Sequence, residues 1–192
     1  VGRDVLRDAQ VRPENYSSLM VRVAGFAAYF IDLDKNLAEL LDATKKVLSW
    51  YDLLFLDESY MKWIVYFLVL IHTCDPQHSE EMCSRFELAP RYRKIFCLER
   101  FAAEKCVLEL AWNLPLRNSA IYRKLSAFRT ELILYMMAIT KSKAVKKAIS
   151  NFFSRLRHMR LAISGKDLQK LGLQPGPVFR QTLEAVLKAK LN

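Results

Sequence analysis

Residues 164–192 read SGKDLQKLGLQPGPVFRQTLEAVLKAKLN and carry the signals of two helices joined by a tight turn. Ser164 is a suitable N-cap, and Asp167 would lie in the first turn, where a carboxylate interacts favourably with the helix dipole. Gly172 is placed to end this helix, and Pro177 is suited to the first turn of the next one. The stretch therefore predicts a helix, a turn rich in Gly and Pro, and a final helix.

The turn before the last helix has two functional interpretations. Pro175 and Pro177 fix φ on either side of a permissive Gly176, so the last helix would begin abruptly and direct its first backbone amides at a phosphate. The alternative is a corner between two helices that binds no ligand. The sequence leaves both interpretations open.

The sequence from Leu37 onward has the apolar period of helices. Gly and Pro number only 5 and 6 in 192 residues, and 52% of the residues are hydrophobic, which disfavours a turn-rich all-β fold. Ser59 is predicted to cap a helix that runs through Ile71, and Pro90 to begin a long helix to about Trp112. The fold class is therefore predicted to be all-α, a helical array preceded by a short appendage.

The most apolar run does not predict a membrane span. It extends from Trp63 to Ile71, far short of the roughly 20 residues that cross a bilayer. The N-terminus has no basic segment followed by an apolar one, so no secretory signal is predicted. A cytoplasmic protein without a membrane partner is expected.

The formal net charge of +10 is unevenly distributed. Residues 1–36 are neutral, so the whole excess lies in residues 37–192. A basic helical body favours a polyanionic partner, either nucleic acid or an anionic membrane surface.

The interval between Glu131 and Asp167 contains no acidic residue. Helical spacing places Lys143, Lys146 and Lys147 on one face of a helix over 142–157, and apolar residues on the other. A track for RNA phosphates would have this form, and a merely solvated basic helix is the alternative. The expected RNA-binding residues are Lys143, Lys146, Lys147, Arg155, Arg157, Arg160 and Lys166.

Three aromatic residues of the body could stack on bases: Trp112, Tyr122 and Phe128. At helical spacing such residues more often belong to the core, which is the expectation here.

The four cysteines are Cys74, Cys83, Cys97 and Cys106, and no two have CxxC spacing. A metal site with His72 or His78 is conceivable, but thiols packed on apolar helix faces in a reducing cytoplasm fit the spacing better. No metal and no cofactor is predicted for this chain.

The N-terminal segment has a different pattern. A short helix is predicted before Pro13, followed by two extended runs that meet at Gly25. A β-hairpin would use the glycine in its turn. Residues 1–36 are predicted to form a helix and hairpin appendage, separate from a body over 37–192 that folds without it.

The string LRDAQVRPENYSSLMVRVAGFAAYF closely resembles the C-terminal glycyl-radical segment of the pyruvate formate-lyase family, over about residues 3–35. The resemblance implies that Gly25 is the radical site, with Arg22 and Val23 in its motif. Phe26 stands where the family usually has tyrosine. That family also needs a cysteine inside a large barrel, for which 37–192 offers no room. A spare-part subunit that lends its glycine to a damaged enzyme is the alternative function.

The body resembles the C-terminal region of the bacterial tRNA nucleotidyltransferase and poly(A) polymerase family, the CCA-adding or A-adding enzymes. The family signature is roughly GxDL, then GxxPGP, then a final helix. Its matching residues are Gly165, Asp167, Leu168, Gly172, Pro175, Gly176 and Pro177.

The resemblance implies a body and tail, from about Leu37 to Asn192, that clamp the acceptor arm of tRNA for a catalytic head. The head would use Mg²⁺ with ATP or CTP, and its glycine-serine loop is absent from these 192 residues. Asp32 and Asp34 have the spacing of its paired aspartates, but the glycyl-radical resemblance already covers them. No catalytic residue and no activity are expected of this chain alone.

Overall fold

A computed structural model describes residues 35–56, 58–172, 174 and 176–192, and before them residues 4, 5, 8, 11, 12, 15, 20–23 and 26–29. The proposed radical site Gly25, the aspartates Asp32 and Asp34, and the signature residue Pro175 lie outside the described residues. None of the described helices is both long enough and apolar enough to cross a membrane.

The described body is helical, as its sequence period predicts, and two short strands precede it. The strands β1 (Met20–Val23) and β2 (Phe26–Tyr29) pair antiparallel, with Val23 opposite Phe26. The helices are α1 (Lys35–Leu54), α2 (Lys62–Leu70), α3 (Pro76–Arg85), α4 (Pro90–Lys94), a π-helical segment (Ile95–Glu99), α5 (Arg100–Asn113), α6 (Asn118–Leu125), α7 (Thr130–Ile139), α8 (Lys143–Ser154), a 3₁₀ turn (Leu156–His158), α9 (Gly165–Lys170) and α10 (Pro177–Leu191).

Most helix starts follow the local signals. Pro90 occupies the first turn of α4, and Asp75 caps α3 by accepting the amide of His78 at 2.8 Å. The prediction for Ser59 was wrong, because α2 begins at Lys62. No side chain near in sequence caps α2; the amide of Met61 instead donates to Glu131 of α7.

The chain divides into two compact units by its backbone packing. Unit 1 comprises residues 1–105 and 130–139, and unit 2 comprises residues 106–129 and 140–192. Helix α5 is therefore shared, with 100–105 in unit 1 and 106–113 in unit 2.

Unit 1 is built around α7, which packs against α1 and α2. Most of α7 is buried, as expected of a helix that is apolar on nearly all sides. The core includes Tyr51, Ile64, Phe67 and Tyr135, each 1% exposed or less. Phe67 also meets Phe96 of the π-helical segment, with ring centroids 4.5 Å apart.

A fully buried arginine organises the interior of unit 1. Arg100, at the start of α5, donates to the carbonyl oxygens of His72 at 3.0 Å and Cys74 at 2.6 Å. It also donates to Ser79 Oγ at 3.0 Å and to the carboxylate of Glu104 at 3.1 Å. These partners offset the large cost of burying a guanidinium.

The Glu104 carboxylate extends this network to α7. The hydroxyl of Tyr135 donates to it at 2.5 Å, and His72 Nδ1 lies 2.7 Å from that hydroxyl. Burial by itself would raise the pKa of Glu104, but hydrogen bonds from His72 and Tyr135 and the charge of Arg100 hold it below its usual value. Burial and the same carboxylate raise the pKa of Tyr135.

Unit 2 is built around α6, which packs against α8 and α10. The core includes Ile121, Leu125, Ile149 and Phe153, each 5% exposed or less. At the chain's last residue, the Asn192 side chain accepts the amide of Ser119 at 3.1 Å. The C-terminal end of α10 is thereby fixed to the start of α6.

Candidate nucleic-acid interface

The net positive charge of the chain lies entirely in unit 2. This unit contains sixteen Lys and Arg residues against three Asp and Glu residues, a formal charge of +13 with histidine neutral. Unit 1 has fourteen against seventeen, a charge of −3. The sequence alone placed the excess in 37–192. The division into units places this excess charge in unit 2, which is about half of that length. So dense a positive charge creates a strong local field that attracts a polyanion.

Helix α8 presents the predicted lysine stripe. Ser142 accepts the amide of Val145 at 3.4 Å and caps the helix. The apolar face is buried as predicted: Val145, Ala148, Ile149, Phe152, Phe153 and, in the 3₁₀ turn that follows, Leu156.

The three lysines of the stripe differ little in their surroundings. Lys143 and Lys147 are exposed and Lys146 is half-buried. Within the described part of the chain, no carboxylate forms an ion pair with any of them. Their charges are therefore available to phosphates.

The arginines after α8 have more varied surroundings. Arg155 and Arg160 are exposed. Arg157 is half-buried: its Nε donates to the Phe153 carbonyl at 3.0 Å and its guanidinium lies 4.8 Å from the centre of the Phe153 ring. The carbonyl of Arg160 accepts the Nζ of Lys190 at 2.7 Å. Arg157 therefore has a packing role besides any role in binding.

The signature residues occupy the helical positions that the sequence predicts. Both the amide and the hydroxyl of Ser164 donate to Asp167, at 2.9 and 2.8 Å. These hydrogen bonds hold the pKa of Asp167 below its ordinary value. Leu168 is buried and Lys166, the last of the predicted contact residues, is exposed.

The described residues at the two ends of the turn after α9 also follow the prediction. Gly172 has φ of +84°, the left-handed conformation of a helix-ending glycine, and its amide donates to the Gln169 carbonyl at 2.9 Å. Gly176 is the N-cap of α10 and Pro177 its first residue. A Cβ added at Gly165 would lie 3.7 Å from the Phe179 ring, an ordinary contact distance, so α9 and α10 approach closely at this corner.

A groove between α6 and α10 adds cationic side chains that the sequence did not indicate. It has a volume of about 950 Å³ and is lined by Arg117, Arg123, Arg180 and Lys188, among others. Arg180 forms an ion pair with Glu184 at 2.7 Å. The two helices are more than fifty residues apart in sequence, so no local pattern could have joined these residues.

The aromatic residues are placed differently from one another. Tyr122 is half-buried, lines the groove and lies 6.2 Å from the Phe152 ring, and Phe128 is also half-buried. The expectation of a core position was wrong for Trp112, which is 84% exposed. Leu110 and Val107 form the buried side of this part of α5, and Trp112 lies on the opposite side.

The described residues contain no group of three or more His, Cys, Asp or Glu side chains that could hold a metal ion. The cysteines of the described body are thiols.

The body is similar to known tRNA-processing proteins. An A-adding tRNA nucleotidyltransferase of Geobacter sulfurreducens is 36% identical over 165 residues, 83% of this chain and 19% of the relative. The aligned length is more than four times that of the appendage, residues 1–36, so most of the similarity lies in the body. The body resembles the tRNA nucleotidyltransferase family. The resemblance predicted from the sequence is thus confirmed.

The fold of this nucleotidyltransferase-like chain is also found in a solved tRNA-processing enzyme with CTP. The TM-score is 0.68 at 18% identity, over 98% of this chain and 46% of that one. This chain spans about a fifth of the length of the Geobacter relative and less than half of the solved chain.

The N-terminal segment of the nucleotidyltransferase-like chain is similar to a second family. The glycine radical family model matches residues 1–31. The isethionate sulfite-lyase of Oleidesulfovibrio alaskensis is 54% identical over 37 residues, 19% of this chain and 4% of the relative. Both resemblances predicted from the sequence are therefore present in one chain.

Proposed function

We propose that residues 37–192 are the tRNA-binding part of a tRNA nucleotidyltransferase-like protein and clamp the acceptor arm of tRNA for nucleotide addition at its 3′ end. The observation that carries this proposal is the charge of +13 in unit 2, on a body whose 36%-identical relative is an A-adding tRNA nucleotidyltransferase. Sugar-phosphate backbones are the polyanions that such a surface attracts.

The binding surface combines two groups of cations. The first is the predicted set, led by Lys143, Lys146 and Lys147 of α8. The second is the groove between α6 and α10, with Arg117, Arg123 and Lys188 and a tyrosine, Tyr122, in its lining. Phosphate contacts by both groups would position an RNA backbone without reading its sequence. This is the property needed by a protein that accepts many tRNAs.

Catalysis is assigned to a head domain outside these residues. The head would supply Mg²⁺ and bind ATP or CTP, and the body would hold the RNA. No catalytic residue is proposed within 37–192.

The proposal is tested by tRNA binding to the full 192-residue chain across a range of salt concentrations. We expect affinity that falls linearly on a log–log plot, with a slope of about −0.9 for each phosphate neutralised. A folded chain that does not bind tRNA at low salt, or binds it with no salt dependence, would refute the clamp. A dsDNA of equal length serves as a control for general polyanion attraction.

The match of the glycine radical model to residues 1–31 favours a second candidate function for the appendage. In this alternative an activating radical enzyme forms a glycyl radical on Gly25. The appendage then supplies this radical to a damaged glycyl-radical enzyme that has lost its own radical glycine. Anaerobic activation followed by exposure to air would cleave the chain at Gly25. An intact chain after this treatment, with a positive-control enzyme cleaved in parallel, would refute the alternative.

A further inference from the structure

Two of the four cysteines lie in sulfur–sulfur contact. Cys83 Sγ and Cys97 Sγ are 3.6 Å apart, the first on α3 and the second on the π-helical segment, and both belong to unit 1. A disulfide needs a separation of about 2.05 Å, so the sulfurs would move together by about 1.5 Å. Within the described part of the chain, neither Cys74 nor Cys106 has another cysteine sulfur at hydrogen-bond distance.

The two thiols differ in access to solvent. Cys83 is fully buried, whereas Cys97 is partly exposed. A reagent in solution can therefore reach Cys97 first, while the buried sulfur of Cys83 lies in contact with the sulfur of Cys97. This order, an accessible thiol backed by a second thiol, is the arrangement of a reacting and a resolving cysteine.

We propose that Cys83 and Cys97 form a reversible dithiol–disulfide site that is oxidised by low-molecular-weight disulfides. Cys97 sulfur attacks one sulfur of the reagent, forms a mixed disulfide and releases one thiol, which takes up the Cys97 proton. Cys83 sulfur then attacks Cys97 Sγ, the bond to the reagent breaks, and a second thiol leaves with the Cys83 proton. Two protein thiols are oxidised and one disulfide is reduced to two thiols.

The surroundings set the rate of this exchange. Burial is the main cause that raises the pKa of both thiols, and the Glu80 carboxylate with the Cys83 thiol contributes to a pKa of about 12 at Cys97. Arg93, which pairs with Glu80 at 2.9 Å, and the buried Arg100 favour the thiolate of Cys83. Because the thiolate is the reacting form, oxidation is slow at neutral pH and its rate rises about tenfold per pH unit below that pKa.

The experiment exposes the folded, full chain to excess glutathione disulfide at several pH values and counts free thiols after quenching and denaturation. We expect the count to fall from four by at least two, with a Cys83–Cys97 cross-linked peptide in the non-reducing digest and full recovery after dithiothreitol. A count that stays at four up to pH 9, or a digest that pairs either cysteine with Cys74 or Cys106, would overturn the proposal.

Variants separate the two steps. C83S should stop at a stable mixed disulfide on Cys97, and C97S should leave Cys83 as a thiol, whereas C106S should still form the cross-link. E80Q should accelerate the first step, since it removes a negative charge that raises the pKa of Cys97. Rapid closure of a cross-link in C83S would refute the pairing. If a serine variant fails to fold, peptide mapping of the parent protein decides the question.

Discussion

The carboxylate of Glu131 accepts a hydrogen bond from the backbone amide of Met61 at 3.0 Å, across a separation of seventy residues. Met61 is the N-cap residue of α2, whose first amides have no partner within the helix. The largely buried carboxylate of Glu131 on α7 thus caps α2 in place of a side chain near in sequence. It also joins α2 to α7 within unit 1.

Replacement of Glu131 by alanine should destabilise the protein by about 0.5–2 kcal/mol, because the amide of Met61 at the start of α2 loses its acceptor. E131Q keeps an acceptor oxygen and should recover most of the loss. The midpoint of urea unfolding measures both. Equal destabilisation by E131A and E131Q would mean that the carboxylate's charge, not its hydrogen bond, is what matters.

Arg100 should be the most sensitive charged position of unit 1. R100A would remove the donor of the hydrogen bonds to the carbonyls of His72 and Cys74 and to the half-buried Glu104 carboxylate, at a cost of about 3–5 kcal/mol. The exposed Lys105, on the same helix, is a matched control, and K105A should change stability by less than about 0.5 kcal/mol. Thermal unfolding by circular dichroism gives the comparison, and similar effects of the two variants would contradict the network.

The lysine stripe of α8 should contribute to RNA affinity through charge. A K143A/K146A/K147A variant should keep its fold and reduce the salt slope of tRNA binding by about 3, at roughly 0.9 per phosphate. A control variant with alanine at three exposed lysines of unit 1, Lys45, Lys94 and Lys105, should bind like the parent. If both variants lose affinity equally, net charge and not a local track determines binding.

The Ser164–Asp167 capping interaction should make the start of α9 sensitive to acid. The pKa of Asp167 is depressed in the folded protein, chiefly by the backbone amide of Ser164, so its stabilising effect is present above its ordinary value of 3.8 and is lost as pH falls through the folded pKa. Hydrogen exchange of the first α9 amides should quicken in that range. D167N should remove this acid transition, and a transition that persists in D167N would assign it to another group.

Gly172 should tolerate asparagine better than alanine. Its φ of +84° is costly for residues with a side chain, by about 1–2 kcal/mol, and asparagine enters this region most easily. A Cβ at this position would meet nothing within 4 Å, so backbone conformation alone sets the cost. Urea unfolding should rank the parent above G172N and G172N above G172A. Equal stability of G172A and the parent would mean that the turn relaxes.

Local signals predicted much of the helical body and part of the candidate site. Ser164, Gly172 and Pro177 mark helix ends through contacts within a few residues, and the buried face of α8 follows from helical spacing. The start of α2 was mispredicted because its cap comes from α7. Trp112 was mispredicted because the helical period of the sequence shows which residues share a face of a helix. It does not show whether a second element covers that face.

The sequence by itself determined the all-α class of the body, its positive charge, its resemblance to the tRNA nucleotidyltransferase family and the glycyl-radical resemblance of the segment before it. These are properties of composition and of contacts between near neighbours along the chain. Only the tertiary structure shows that the net positive charge lies in one unit and that a groove lined by cationic side chains lies between α6 and α10. It alone also shows the contact between the sulfurs of Cys83 and Cys97. Each of these depends on packing between separate helices, which no local period encodes.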